Sequence, residues 1–500
     1  MINQYKYTIL VVLCLLGTSC KKSFLEQPPE ASLTGANYWN TESDIKQGVN
    51  GAYRSLRDLG LFSYWVFAEM RADNTTFQYN APQRGQENRE FVDQFLVIST
   101  NTLIQDFWGQ TYTGIARCND VLGNESRITM SDQSRNQAVG EVKLLRAFHY
   151  FNLVRQFGGV PLRLTTVSAP EQAGSQGRAT AEAVYQQIIS DLSDAATKLP
   201  ASYGAADKGR VTSGTANALL GEVYLTRKDY ASALTALRKV TGYSLMSTYA
   251  SIFVPANKNN AESIFEIQYL GSDPGLSSNF MYQFAPFDSG TSVTNDPGFN
   301  LSFNAGWNTP STDLIAAYET GDQRKISSLS EGYTLNGVFR PVPYITKYNQ
   351  GFVQAGQTNV NFPIIRYADV MLEIAECLNE QGFAAGGEAF SLLNAVRARA
   401  GLAPKTAGNA NPALDVSGQQ AFRNAIAQER KVELAFENHR WYDLVRTGAA
   451  VEVMNAHGAR EVAKAPAQFP AGSYVVTANK LLLPIPEREI TLDKLTQNPL

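Results

Sequence analysis

The sequence predicts a mainly α protein assembled from stacked helix pairs, and three observations carry that prediction. Apolar residues recur at helical spacing along most of the chain, beginning with Ile45, Val49, Ala52 and Leu56 at intervals of three and four. Strand-like runs are few and short, around 263–268 and 481–485. One stretch, residues 218–234, carries the spacing of two short helices held in close contact.

Taken in order, residues 21–40 are polar, contain Pro28-Pro29 and read as a stalk followed by an irregular arm. The helical period starts at Glu42. Further helical patterns fall at about 106–124, 134–156, 181–199, 212–226, 229–241, 311–320, 367–381, 387–400 and 418–438. Two segments interrupt them. Residues 60–105 set Tyr64, Trp65, Phe77 and Tyr79 among Asn, Gln and Arg, and residues 271–310 mix Gly, Ser, Pro and Asn with Phe280, Tyr282, Phe284, Phe287 and Trp307. Irregular segments of this length inside a compact protein are functional or disordered, and their aromatic content argues against disorder.

Within 218–234, Leu220, Gly221 and Tyr224, with Ala233 twelve residues after the glycine, match a tetratricopeptide helix pair. Gly221 and Ala233 lack bulk, so the helices can approach closely while Tyr224 fills the groove. A weaker echo runs from Ala375 and Cys377 into Ala389, Phe390 and Leu393. These pairs predict a solenoid-like scaffold; an ordinary helical bundle is the alternative.

The N-terminus adds a separate signal. Lys6 precedes an apolar run from Ile9 to Leu16, closed by Gly17-Thr18-Ser19-Cys20. That run is too short to stay in a bilayer as a spanning helix and reads as a secretion signal over residues 1–19. Cys20 directly after small residues reads as the lipidation site of a lipoprotein, although Gly17 stands where such signals usually carry Leu. The alternative is an ordinary signal peptide with an incidental cysteine.

The chain has 500 residues, 44% of them hydrophobic, so it can bury a large core. A formal net charge of −3 offers no basic footprint for nucleic acid. Beyond the signal only Cys118 and Cys377 remain, either paired or, the favoured reading, two buried thiols.

Enzymatic signatures are scarce. The chain has no His-Glu-x-x-His, no phosphate loop and no Gly-x-Ser-x-Gly elbow. The reading therefore includes no catalytic residue, no metal site and no cofactor. His149 sits within an apolar helical run and is read as packed structure. Glu429 and Glu433 lie one turn apart on a core-facing stripe, which requires pairing with cations such as Arg397, Arg399 or Arg440. A carboxylate pair for glycoside hydrolysis is the functional alternative. Asp369, Glu373, Glu376 and Glu380 form a second ladder, read as a solvated or salt-bridged face.

The aromatic segments point elsewhere. Sugar rings pack their C–H faces on aromatic rings while amides bond the hydroxyls. Trp65, Tyr79 and Trp307, with Tyr64, Asn80 and Asn308 beside them, are the candidate ligand-binding residues; the alternative is that these rings anchor loops to the core.

The chain resembles the SusD/RagB family of surface lipoproteins in Gram-negative nutrient uptake. The matching pieces are Tyr38-Trp39-Asn40-Thr41-Glu42 with Gly48-Val49-Asn50-Gly51-Ala52-Tyr53, the run Tyr150 to Leu162 containing Phe157-Gly158-Gly159-Val160-Pro161, and Arg366-Tyr367-Ala368-Asp369 with Ala375-Glu376. Asn394 to Leu402, Glu429-Arg430 with Asp443-Leu444, and Leu483-Pro484-Ile485-Pro486 with Thr496-Gln497-Asn498-Pro499 complete the set. The resemblance implies one SusD-like domain at 42–500 after a lipidated stalk and arm at 20–41. Its helical, tetratricopeptide-like superhelix would occupy about 42–260 and 311–500, with ligand-facing segments at about 60–105 and 271–310. It further implies a non-enzymatic glycan- or nutrient-binding lipoprotein of the outer membrane. Such a protein sits as a lid on a SusC-like TonB-dependent channel. A surface glycosidase and a scaffold subunit without its own ligand are the alternatives. Lys21-Lys22 after Cys20 depart from the acidic residues often found there; display on the outer face is the favoured reading and periplasmic display the alternative.

Overall fold

The computed structural model describes residues 38–499 apart from 63, 83, 168–175, 274, 295, 297–304 and 350–351. The signal segment, Cys20 and the stalk therefore lie outside the described residues.

Helices dominate, and each of the early ones packs on the next. Helix α1 (Glu42–Phe62) lies against α3 (Thr102–Asn124), with the short α2 (Glu87–Asp93) between them in sequence. Helix α3 packs on α4 (Asp132–Phe157), α4 on α5 (Ala181–Lys198), and α5 on α6 (Ser213–Thr226). The stack continues through α7 (Tyr230–Leu237) to α8 (Tyr367–Gln381), which meets both α9 (Glu388–Arg399) and α10 (Gln419–Glu433). Helices α11 (Arg440–Thr447), α12 (Ala450–Lys464) and α13 (Glu487–Asp493) follow. This is the tetratricopeptide-like helical stack the sequence predicts.

Local chemistry sets the helix starts. Ser131 and Thr180 accept from backbone amides of the first turns of α4 and α5, and Thr212 forms a reciprocal capping box with Thr215 at α6. Helix α4 is buried on all sides from Ala138 to Phe157 except at Lys143, so it runs through the middle of the core and has no solvent stripe. His149 belongs to it. Its Nε2 lies 3.0 Å from Ser55 Oγ, and the ring packs where a Cβ on Gly114 would come within 2.2 Å. Burial pushes its pKa down to about 3, so it is neutral core material.

The predicted close pair is present. A Cβ on Gly221 would meet Leu237 Cδ2 at 2.4 Å, Ala233 is buried, and Tyr224 packs against the same core. The echo is present too: Ala375, Ala389, Phe390 and Leu393 share a cluster with Phe422 and Ile426. Cys118 and Cys377 are free and buried, and burial pushes the Cys118 thiol up to about 12.

Strands are short. Strand β1 (Thr75–Thr76) pairs with β3 (Thr309–Pro310), and β2 (Ser263–Ile267) pairs antiparallel with β6 (Phe362–Arg366), which leads straight into α8. Strands β4 (Tyr333–Leu335) and β5 (Val338–Arg340) form a hairpin through Asn336 and Gly337. Both turn residues have positive φ, as a two-residue hairpin turn of this hand needs.

Three expectations are corrected. Residues 481–485 are not a strand: Pro484 lacks a ladder donor, Leu483 N donates instead to Gln156 O at 2.7 Å, and Ile485 N donates to Gln497 Oε1. The pattern at 311–320 shortens to one helical turn, Thr312–Ile315. That at 418–438 ends at Glu433, and Phe436 and Asn438 then adopt left-handed backbone conformations. Glu69 stabilises this turn by accepting from both Phe436 N and Asn438 N at 2.9 Å.

Candidate functional site

The paired carboxylates are structural. Glu429 accepts from Arg324 at 2.6 Å and Arg397 at 3.0 Å, and Glu433 accepts from Arg324 at 3.1 Å, Arg366 at 3.0 Å and Arg399. Burial opposes the charge on Glu433, but Arg399, Arg366 and Arg324 outweigh it and hold the carboxyl well below the usual range. Of the expected partners, Arg397 and Arg399 are in place, whereas Arg440 pairs with Asp73 at 2.7 Å. On the second ladder, Asp369 meets Arg430, Glu376 meets Arg446 and Glu380 meets Arg423. Glu373 makes no salt bridge among the described residues, and burial pushes its carboxyl up.

The two irregular segments are joined at residues 75–78. Strand β1 pairs with β3, Gln78 N donates to Gly306 O, and Gln78 Oε1 accepts from Phe287 N at 2.8 Å. This junction accounts for most of the candidate ligand residues. Trp65 is 0% exposed and Trp307 1%, and their rings meet edge to face at 4.9 Å beside Phe284. Tyr64 is buried against Phe148 and Phe362, and buried Asn308 accepts from Thr75 Oγ1. The ligand-contact expectation is corrected for Trp65, Trp307, Tyr64 and Asn308: they present no face to a ligand and anchor the loops instead. Large flat rings gain more from full burial than from a half-open position, which is the physical reason.

Tyr79 is different, being half-exposed. Arg84 lies over its ring at 4.8 Å and also grips Glu90 with two bonds of 2.7 and 2.9 Å. Asn80, next to it, is buried. Tyr79 opens onto a cleft of about 390 Å³. One lip is the strip Thr76, Phe77, Gln78 and Tyr79, with Glu90 and Asp93 from α2 and Gln94 just after it. The other lip comes from α12 and the segment after it: Glu461, Lys464, Gln468, Phe469 and Tyr474. Thr309 and Pro341 complete the wall.

The floor is over-determined. Asp93 Oδ2 accepts from Phe77 N at 3.1 Å and from Tyr474 OH at 2.7 Å. Tyr474 has a positive φ of 57°, an uncommon backbone conformation for a non-glycine residue. It is held by its amide donating to Gln94 O and by edge-on rings, His457 and Phe469, each at 5.7 Å. A Cβ on Gly458 would lie 2.0 Å from Tyr474 Cβ, so only glycine lets α12 approach this residue.

A second groove, of about 490 Å³, lies between α8, α10 and α11. Its charged walls are spent on one another through Arg423–Glu380 and Arg446–Glu376, and Tyr230 is its one aromatic ring among the described residues. Aromatic rings beside side-chain amides, the chemistry that suits a sugar, are found at the first cleft instead. The sequence reading missed Phe469, Tyr474 and Asp93. The signal available was Phe469-Pro470-Ala471-Gly472-Ser473-Tyr474, an aromatic Pro/Gly segment like the two singled out.

Fold and site together define a helical-repeat protein in which irregular segments, together with α2 and α12, build the cleft. Comparison with known proteins gives the family. A model described as "SusD family" matches residues 256–500, and one described as "Starch-binding associating with outer membrane" matches residues 23–225. The chain belongs to the SusD/RagB family. A SusD-like protein of Formosa agariphila is 29% identical, covering 91% of this chain and 93% of that one. Among solved structures, a laminarin-binding SusD-like protein is 27% identical with a TM-score of 0.75, covering 92% of this chain and 100% of its own. A SusD superfamily protein from Parabacteroides distasonis is 25% identical with a TM-score of 0.76, covering 93% and 99%.

Proposed function

We propose that this protein is a non-catalytic oligosaccharide-binding lipoprotein of the outer membrane that hands its ligand to a SusC-like TonB-dependent channel. The observation that carries the reading is the cleft between Tyr79 and Tyr474, where the partly exposed rings of Tyr79 and Phe469 lie with the amides of Gln78 and Gln468. Membership of a family that includes a laminarin-binding protein supports the choice of a glycan over other nutrients. The outer-membrane association named in the matching family description supports the location, with Cys20 as the lipidated residue. No described helix is long and apolar enough to cross a membrane, which fits anchoring by lipid. The pairing of Glu429 and Glu433 with arginines supports binding without hydrolysis.

In this reading Tyr79 stacks on a sugar ring and the neighbouring amides bond hydroxyls, with Asn80 bordering the site. The experiment is calorimetric titration with a panel of oligosaccharides, laminarin fragments first, alongside an assay for newly formed reducing ends. Binding is expected without release of reducing ends. Tyr79→Ala is expected to keep the melting temperature and weaken binding roughly thirtyfold, the scale of losing an anchor aromatic worth about 2 kcal/mol. Unchanged affinity in Tyr79→Ala moves the site elsewhere, and release of reducing ends restores the glycosidase.

A further inference from the structure

Asp93 is 2% exposed, and it touches both lips of the cleft. Through one oxygen it accepts from Phe77 N, on the Tyr79 side, and from Tyr474 OH, on the α12 side. Its other oxygen, Oδ1, has no hydrogen-bond partner among the described residues. No cation among the described residues pairs with it, unlike nearby Glu90 with Arg84 and Glu461 with Lys464. We infer that Asp93 is the positioning residue of the cleft, setting its width by tying the Phe77–Tyr79 strip to Tyr474 across the floor. The inference rests on the cleft being the ligand site, but the tie itself is testable without a ligand.

The tie is built for the neutral acid. With the proton on Oδ1 no charge is left in the floor, and Oδ2 still serves both donors. Removing that proton places a buried charge beside Glu461 with no counter-ion. Burial pushes the Asp93 pKa up to about 7; the bonds from Phe77 N and Tyr474 OH and the position of His457 favour ionisation, and Glu461 opposes it. The groups facing Asp93 are thus Tyr474 from the 465–475 segment, His457 and Glu461 from α12, and the Phe77 amide from the opposite strip. His457 is itself held by Asp313 at 2.7 Å. As the pH rises through about 7, the charged carboxylate is drawn toward water and the tie loosens. The cleft is then closed and competent on the acid side of that value and looser on the alkaline side.

Asn is the informative replacement, because its carbonyl oxygen accepts from both donors and its amide stands where the protonated oxygen stood. Hydrogen exchange of the 465–475 segment, corrected for intrinsic rates, is compared at about pH 5.5 and about pH 8.5, either side of the transition. In the wild type the segment is expected to exchange faster at the higher pH. In Asp93→Asn it is expected to stay protected at both, and in Asp93→Ala to exchange fast at both. Any contribution from His457 persists in Asp93→Asn and is subtracted by it. Titration with laminarin oligosaccharide should follow the same pattern, with affinity falling about tenfold in the wild type between the two conditions, the scale of one hydrogen bond lost. Asp93→Asn should hold the tighter value throughout. Exchange that ignores both pH and the Asp93→Ala change overturns the inference. Exchange that follows the pattern while laminarin binding ignores all three proteins upholds the tie and overturns the cleft as ligand site.

Discussion

Glu433 sits where Arg324, Arg366 and Arg399 converge, and all four side chains are at most 4% exposed. Leaving those guanidiniums without their carboxylate costs about 3–5 kcal/mol. Glu433→Ala should therefore show a clearly lower midpoint in thermal and urea unfolding, while the folded protein keeps its oligosaccharide affinity. Acid acts on the same network with a definite sign. Glu433 and Glu437 are held below the ordinary value of 4.5, so their contribution is fully present above that value. It disappears as the pH falls below it toward their lowered folded-state values. Melting temperature measured downward from neutral pH should fall through this window, with Glu433→Gln, already weakened, falling less. Part of this was legible in the sequence, since carboxylates on an apolar stripe demand cations and two of the expected arginines supply them. Arg366 and Arg324 were not legible, because they arrive from 67 and 109 residues away with no periodic relation to Glu433. The loop aromatics show the same divide. Composition marks Trp65, Tyr79 and Trp307 as alike, and only packing distinguishes the two enclosed tryptophans from the open tyrosine.

At the scale of elements, helix pairing rests on small residues at contact points. Gly221 and Leu237 are in such close contact that Gly221→Leu should force α6 and α7 apart, a cost of about 1–3 kcal/mol for overpacking. Combining it with Leu237→Ala should recover part of the loss, which a double-mutant cycle of urea midpoints would read. Additive losses would mean the two positions do not share the contact. Gly159 is a second such point: a Cβ there would meet Ala179 O at 2.2 Å. Around it the Phe157-Gly158-Gly159 turn is held by Arg178, which donates to Phe157 O and Gly159 O, and by Asn498, which donates to Phe157 O. Motifs far apart in sequence, the glycine turn and the C-terminal Asn498-Pro499, thus share one structural joint. Helices with strong periodicity were legible; the short α11 was not, nor was α12 beyond the Gly448 turn. The β4–β5 hairpin was missed because three-residue strands leave too little alternation to read.

For the whole molecule, the helical stack supplies rigidity, the irregular segments with α2 and α12 supply the cleft, and in the proposed reading lipid on Cys20 supplies the tether. Cys20→Ala should shift the protein from the membrane fraction to the soluble fraction; a variant still bound after high-salt washing would contradict lipid anchoring. The central claim is that ligand enters the cleft between Tyr79 and Tyr474, and footprinting of the bound protein tests it most directly. Hydrogen exchange with and without a saturating oligosaccharide should show new protection at 76–79, 90–94 and 465–475, leaving the charged groove around Arg423 and Arg446 unchanged. Protection confined to that groove, with none at the cleft, would contradict the account.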